Sequence, residues 1–304
     1  MGEFSDFQRT MMQLLQGIKV SCNEPLSKHT SFRIGGPAEL MAFPKDTEEL
    51  TKLLKTCALL GEKPRILGAG TNILAPDGGV KGLVICLKDC LNGIEKIDAT
   101  TIRVYAGVTM TRAAVFASKH GLSGMEFAHG IPGTVGGGVY MNAGAYGGEI
   151  KDICTSVVVM DEQGQCKTFS RDALDFSYRH SCFMEMHGIV VYADFQLIQA
   201  EKSEISERMQ QLMNKRSASQ PLDYPSAGSA FKRPAGGYAA ALIEQAGLKG
   251  LRIGNAAVSE KHSGFIVNLG GATAADVKDL LSAVSNRVYE DTGIRLEPEV
   301  CIWD

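Results

Sequence analysis

The chain has 304 residues, 44% of them hydrophobic and 21% charged, a balance that excludes an intrinsically disordered protein and allows two or three domains. Its 31 basic and 34 acidic residues leave a net charge of −3, so there is no electrostatic footing for a DNA-binding surface or a polybasic membrane anchor. Small molecules are the expected partners, with neither nucleic acid nor membrane insertion among the expectations.

The N-terminal stretch MGEFSDFQRTMMQLLQGIKV lacks a cationic start followed by an apolar run, and no run of about 18 apolar residues occurs anywhere, so a cytosolic protein is expected. Phe4, Phe7, Met11, Leu14 and Leu15 fit one face of an amphipathic helix docked on the body. Asp46 and Glu49 open a helix over 46–61 that stops at Gly61, followed by a strand ending in RILGAG. Next come GLVICL, two period-2 runs (IEKIDA and TIRVYAG), and a helix TRAAVFASKHGL stopped by Gly121. Strands return at ICTSVVVMD, QCKTFS and GIVVYADFQLIQA. A charged amphipathic helix from 201 to 220 then leads across a boundary near 217. Beyond it lie a helix ended by Gly247, the strand GFIVNL, a helix opened by Thr273 and Asp276, and the closing strand RLEPEVCIW. The eight cysteines show no CxxC and no zinc-ligand spacing with histidine, so reduced thiols and no metal are expected.

Two segments carry chemistry. LGAGTNIL fails the dinucleotide fingerprint, because Ile73 stands where the third glycine belongs, and no Gly-Lys-Ser/Thr makes it a phosphate loop. What remains is a strand ending in a Gly-X-Gly-Thr-Asn turn, read either as a plain structural turn or as a holder of diphosphate. The second segment, GIPGTVGGGVYMNAGAYGGE, packs eight glycines into twenty positions yet interleaves Ile131, Val135, Val139 and Met141, which a flexible linker would not. Backbone running close to a bulky charged ligand accounts for both features. With Asn142 and Tyr146 on the second loop, a molecule with a diphosphate and two ring systems, such as a flavin dinucleotide, fits the pair.

SFRIGGPAEL, LGAGTNIL, GIPGTVGGGVYMNAGAYGGEI, YRHSCF, PSAGSAFKRP, EQAGLKG and LEPEV, in this order, resemble the UDP-N-acetylenolpyruvoylglucosamine reductase family, flavoenzymes of bacterial cell-wall precursor synthesis, from about residue 29 to 300. The resemblance implies an α+β fold: a two-subdomain FAD-binding unit of the PCMH-like type (1–87 with the terminal strand 299–304, then 88–216) and a smaller substrate domain (217–298). The short tract between Arg179 and Ser229 places the chain with the shorter, second type. It also implies non-covalent FAD, NADPH as reductant, and UDP-N-acetylglucosamine enolpyruvate as the substrate reduced to UDP-N-acetylmuramate.

Residue by residue, the resemblance assigns Arg179 to the substrate carboxylate and developing enolate, Ser229 to proton donation, and Glu299, rather than Glu297, to polarising the carboxyl side. The cofactor falls to Leu67, Gly68, Ala69, Gly70, Thr71 and Asn72 on the first loop. On the second it falls to Gly130, Ile131, Pro132, Gly133, Thr134, Gly136, Gly137, Asn142, Ala143, Gly144, Ala145, Tyr146 and Gly147. A Cβ at Gly136 is expected to intrude where backbone meets ligand. Lys232, Lys261 and Asn268 are substrate-side candidates, Phe231 and Tyr238 packing residues, and His262 a structural residue or a contact. The chain departs from the family pattern at Gly138, where alanine is common, at Arg233, where asparagine is common, and at Cys301, where arginine is common. Two rivals remain: an FAD-dependent sugar or alcohol oxidase tethering its flavin through His129, and a catalytically silent UDP-sugar-binding regulator.

Overall fold

The computed structural model describes residues 4–186 and 188–304. Residues 1–3, which begin both the expected first subdomain and the stretch read for a signal peptide, and His187, one of the scattered histidines, lie outside them. The chain forms two compact units: Met1–Cys22, Leu40–Ala69 and Gly82–Lys215 make the first, and Asn23–Glu39, Gly70–Lys81 and Arg216–Asp304 the second.

The first unit opens with the helix Asp6–Leu14, started by a capping box between Ser5 and Gln8. Met11 and Leu15 are buried on it, while Phe4 and Leu14 are exposed, contrary to the single face expected from the sequence. Phe7, Met11 and Leu15 follow one another at i+4 and share the packed face; Phe4 precedes the cap, and Leu14 falls off the stripe. The helix Thr47–Leu60 starts where the sequence predicts, with Asp46 accepting from the Glu49 N–H at 2.9 Å, and ends at Gly61 with φ 68°. The strand Arg65–Leu67 pairs in parallel with Val80–Cys86.

The expected run of strands forms a five-stranded antiparallel sheet in the order Cys166–Ser170, Cys154–Met160, Ile189–Gln196, Thr101–Tyr105, Ile94–Lys96. Arg103 ties two of these strands by donating from Nε and Nη2 to the two carboxylate oxygens of Asp194, at 2.8 and 2.9 Å. Leu40, Leu50, Leu53, Ile85, Val104, Val135, Val139 and Phe195 belong to one continuous core beneath this unit. Val135 and Val139 come from a helix the sequence does not announce: Val135–Tyr140 holds three successive glycines yet turns as a helix, its Thr134 cap accepting from the Gly137 N–H. Tertiary packing overrides the poor propensity of glycine there.

The second unit carries a four-stranded antiparallel sheet in the order Ser226–Ser229, Phe265–Asn268, Ala256–Val258, Arg252–Ile253. The helix Ala274–Thr292 has the expected capping box of Thr273 and Asp276, and it buries Val277, Leu280, Leu281, Val284 and Val288 in a second core. Of the closing run, only Cys301–Ile302 is strand, in parallel with Ile73–Leu74. The rest of RLEPEVCIW makes an isolated antiparallel bridge at Pro298 to Phe231, closed by the Lys232 N–H to the Glu297 carbonyl and the Glu299 N–H to the Ala230 carbonyl. Among the described residues no helix is long and apolar enough to cross a membrane, and no cluster of His, Cys, Asp and Glu could hold a metal ion. All eight cysteines are free thiols, and burial pushes those of Cys57, Cys90 and Cys154 up to about 12, which keeps them protonated.

Candidate active site

In the first unit the two glycine-rich segments meet. Arg65–Leu67 delivers Gly68 so close to Thr134 that a Cβ on Gly68 would stand 2.9 Å from the threonine Oγ1. The N–H groups of Gly68 and Ala69 donate to no acceptor among the described residues. Such paired, outward amides are suited to anionic oxygens.

The glycines of the second segment divide into two kinds. A Cβ on Gly136 would lie 2.9 Å from the Ala106 Cβ, and one on Gly138 would lie 2.7 Å from Met110 Sδ. These two glycines let the helix approach the rest of the first unit, so Gly136 is required by packing against protein and not, as expected from the sequence, by a ligand touching its Cα. Met110 Sδ occupies the space a Cβ at 138 would take. Gly137 differs, being exposed, with only Thr134 Oγ1 at 3.6 Å from the position of a Cβ. Its Cα faces open space beside the Gly68 loop.

Two amides at the N-terminus of this helix are already engaged. The Val135 N–H donates to the Val108 carbonyl at 2.8 Å, and the Gly136 N–H to the Ala106 carbonyl at 2.9 Å. Upstream, the Gly130 N–H reaches Thr111 Oγ1 at 3.3 Å, and Gly130 and Gly133 adopt φ 90° and 125°. Gly133 accepts from the Met110 N–H, Ile131 is partly buried against the core, and Pro132 is exposed. Downstream, Gly144–Ala145 pairs with Gly148–Glu149 around a two-residue turn in which Tyr146 and Gly147 both have positive φ, 53° and 89°. This turn presents the Tyr146 side chain at the tip. Asn142 points inward instead: fully buried, it donates to Glu149 Oε2 at 2.7 Å and to the Ser177 carbonyl at 2.8 Å, and it accepts from the Lys151 N–H at 2.9 Å. Ala143 accepts from the Ile150 N–H at 3.0 Å and closes the same loop.

Arg179 stands at the tip of a small hairpin closed by mutual backbone bonds of 3.2 Å between Ser177 and His180. Its φ of 54° is unusual for a bulky residue, and such backbone strain concentrates at functional positions. The guanidinium lies 5.0 Å from the Tyr178 ring centre, and Nη2 donates to the Gly144 carbonyl at 3.4 Å, so hairpin and glycine segment touch the same cation. Next to it, the Asp175 carbonyl and the Glu185 carboxylate raise the pKa of His180 by accepting from its ring.

In the second unit Ser229 ends the strand Ser226–Ser229 after Gly228, whose φ of 79° accompanies a register shift in the pairing with Phe265–Asn268. The Ser229 hydroxyl makes no hydrogen bond to the described residues. Behind it is a narrow apolar cleft lined by Phe32, Ile266, Val277, Leu281 and Val300 that has no room for a water molecule. The LEPEV segment runs alongside: the Glu299 N–H donates to the Ala230 carbonyl at 2.9 Å, and Asn72 Nδ2 to the Glu299 carbonyl at 3.2 Å. The structure thus brings Ser229, Glu299 and Asn72 of the first motif together. Glu297 instead forms an exposed ion pair with Lys232 at 3.5 Å.

Gly70 is fixed by packing, since with φ 62° a Cβ would overlap the His29 carbonyl, and the Ser31 N–H donates to its carbonyl at 3.0 Å. Thr71 follows it into the Asn72 anchor. Lys261 is exposed, with Nζ donating to the Ser217 carbonyl at 2.6 Å. Asn268 is buried, its amide donating to the Phe32 carbonyl and accepting from the Gly270 and Ala272 N–H groups. It braces the fold from within. Phe231 is buried, but Tyr238 is 63% exposed and stacks with Arg233 at 4.6 Å. His262 lies edge-on to Phe265, accepts from the Gly264 N–H, and has its pKa lowered by burial, which suits a neutral structural ring.

The residues present fit a flavin dinucleotide. The Gly68 and Ala69 amides and the open Cα of Gly137 form a cradle that side chains would fill, and nearby in sequence His129 Nδ1 is buried with no partner among the described residues. Leu67 is buried under the first loop and Asn142 under the second. Sequence reasoning missed this division of labour, because a glycine that contacts protein and one that contacts ligand look identical in a string of letters.

Fold and site together define an FAD-dependent oxidoreductase. An FAD binding domain model matches residues 38–170, and the model of the C-terminal domain of UDP-N-acetylenolpyruvoylglucosamine reductase matches residues 220–303. The chain is 45% identical over 305 residues to the UDP-N-acetylenolpyruvoylglucosamine reductase of Agathobacter rectalis, covering 97% of each chain. It is 46% identical over 294 residues to that of Caldanaerobacter subterraneus, covering 96% of each. The crystal structure of UDP-N-acetylenolpyruvylglucosamine reductase from Thermus caldophilus superposes with a TM-score of 0.77 at 35% identity, over 94% of this chain and 99% of that one. The chain belongs to the UDP-N-acetylenolpyruvoylglucosamine reductase family.

Proposed function

We propose that the protein reduces the enolpyruvyl group of UDP-N-acetylglucosamine enolpyruvate to give UDP-N-acetylmuramate in the bacterial cytoplasm, with NADPH as reductant. The observation that carries this reading is the Ser229 hydroxyl, without a hydrogen bond to the described residues, at the edge of a dry apolar cleft and beside the pinned Glu299 backbone. Adding a hydride at C3 and a proton at C2 saturates the double bond, so the site must supply a proton and hold the negative charge that develops on the carboxyl side. FAD held by the cradle residues would supply the hydride-carrying chemistry between nicotinamide and substrate. Ser229 Oγ gives its proton to C2. Arg179 offers an always charged donor fork to the substrate carboxylate, and Glu299 polarises its far side. Lys232 serves the diphosphate as a mobile charge, with Lys261 a second candidate, whereas Asn268 shapes the strand from within. Gly68, Ala69 and Gly137 hold the cofactor, with Tyr146 and Gly147 at its edges. We retain 1–87 with 299–304, 88–216 and 217–298 as the functional division into two FAD-binding subdomains and a substrate domain.

A second reading rests on His129, whose buried, unpartnered Nδ1 beside the glycine segment is also what a covalent flavin tether would use. Acid precipitation of the purified yellow protein separates the two. FAD released into the supernatant is the expected result; colour kept in the pellet points to the oxidase.

A further inference from the structure

The segment YRHSCF has features that the role of Arg179 alone does not account for. Asn142 and Ser181 are both fully buried polar residues, and both reach across from one functional segment to the other. Asn142 Nδ2 donates to the Ser177 carbonyl at 2.8 Å, and Ser181 Oγ donates to the Tyr140 carbonyl at 2.7 Å. The two bonds flank the hairpin tip, one at the residue that opens it and one just past the residue that closes it. Arg179 between them is held at φ 54°, a conformation that persists in a bulky residue only where surroundings impose it.

We propose that Asn142 and Ser181 are positioning residues that fasten the Arg179 hairpin to the glycine segment 140–149, so that the guanidinium and the cofactor loop are set in one register. The proposal rests on the assignment of Arg179 to the substrate. Asn142 thereby acts through Arg179, with both amide hydrogens engaged by protein groups. Both donor side chains are fully buried, so removing either one takes away a bond made from inside the fold. Release of the Ser181 bond lets the tip relax toward ordinary backbone angles and moves the guanidinium away from its target.

The test is a double-mutant cycle read on the two half-reactions, with FAD content and thermal midpoint measured alongside. Ser181→Ala slows reoxidation of the reduced flavin by the enolpyruvyl substrate by roughly 10- to 100-fold, the scale of a displacement near 1 Å, and leaves reduction by NADPH near the wild-type rate. Ser181→Thr, which keeps the hydroxyl, restores most of the loss. In an Arg179→Ala background, Ser181→Ala adds no further slowing. Normal reoxidation in Ser181→Ala, or full additivity with Arg179→Ala, overturns the positioning role while leaving Arg179 in place. Normal reoxidation in Arg179→Ala overturns the Arg179 assignment, and the positioning role with it. If Ser181→Ala does not hold FAD, Ser181→Cys, which keeps the size and a weak donor, takes its place in the cycle: slowed reoxidation without additivity supports the role, and normal reoxidation or full additivity overturns it.

Discussion

Ser229→Ala is expected to slow reoxidation of the reduced flavin by substrate by about 10²–10⁴-fold, the usual contribution of a positioned general acid, while NADPH still bleaches the flavin at a near-normal rate. The asymmetry follows from chemistry: a proton donor to C2 is needed only after hydride has reached the substrate. The fold should tolerate the change, because the hydroxyl makes no hydrogen bond to the described residues and truncation leaves no protein group unsatisfied. Ser229→Cys should recover part of the rate, since a thiol is the better acid and differs little in size. Stopped-flow traces of both half-reactions decide the matter. Equal slowing of the two halves, or wild-type reoxidation in Ser229→Ala, removes Ser229 from the mechanism.

The second large effect separates the glycines of the cradle. Gly137→Val puts its branched side chain into the open space beside the Gly68 loop, and overpacking against a bound cofactor costs roughly 1–3 kcal/mol, or about 5- to 150-fold in the Kd for FAD. The apoprotein should unfold near the wild-type midpoint, since a Cβ at 137 meets only Thr134 Oγ1 at 3.6 Å. Gly136→Val should behave in the opposite way. Its Cβ would stand 2.9 Å from the Ala106 Cβ, so the apoprotein itself should lose roughly 1–3 kcal/mol of stability. Flavin titration and thermal unfolding of the two apoproteins check this; a Gly137→Val protein that binds FAD as tightly as wild type would place the cofactor elsewhere.

Much of the fold could be read from local chemistry. Asp46 with Gly61 and Thr273 with Gly293 are cap and stop signals that act within one turn, and the structure has helices between each pair. The period-2 strand 101–105 likewise depends only on alternation, and its burial alternates along the chain. What escaped was decided at long range. The helix Val135–Tyr140 exists because Gly136 and Gly138 admit Ala106 and Met110, a complementarity no local propensity records. Asn142 and Asn268 look like ligand-binding amides in sequence, yet their partners, Ser177 and Phe32, lie 35 and 236 positions away. The backbones of Glu297 and Glu299 are both held, by the Lys232 N–H and by the Ala230 carbonyl with Asn72, partners that local sequence does not reveal.

In the proposed reaction one protein takes a hydride from a nicotinamide and delivers it, with a proton, to an enolpyruvyl sugar nucleotide. Its most direct test is an anaerobic two-stage titration of the purified protein. NADPH is added in one equivalent until the flavin absorbance bleaches, and UDP-N-acetylglucosamine enolpyruvate then follows without oxygen. The account predicts full return of the oxidised flavin spectrum and one equivalent of UDP-N-acetylmuramate. A flavin that stays bleached until air is admitted would contradict it.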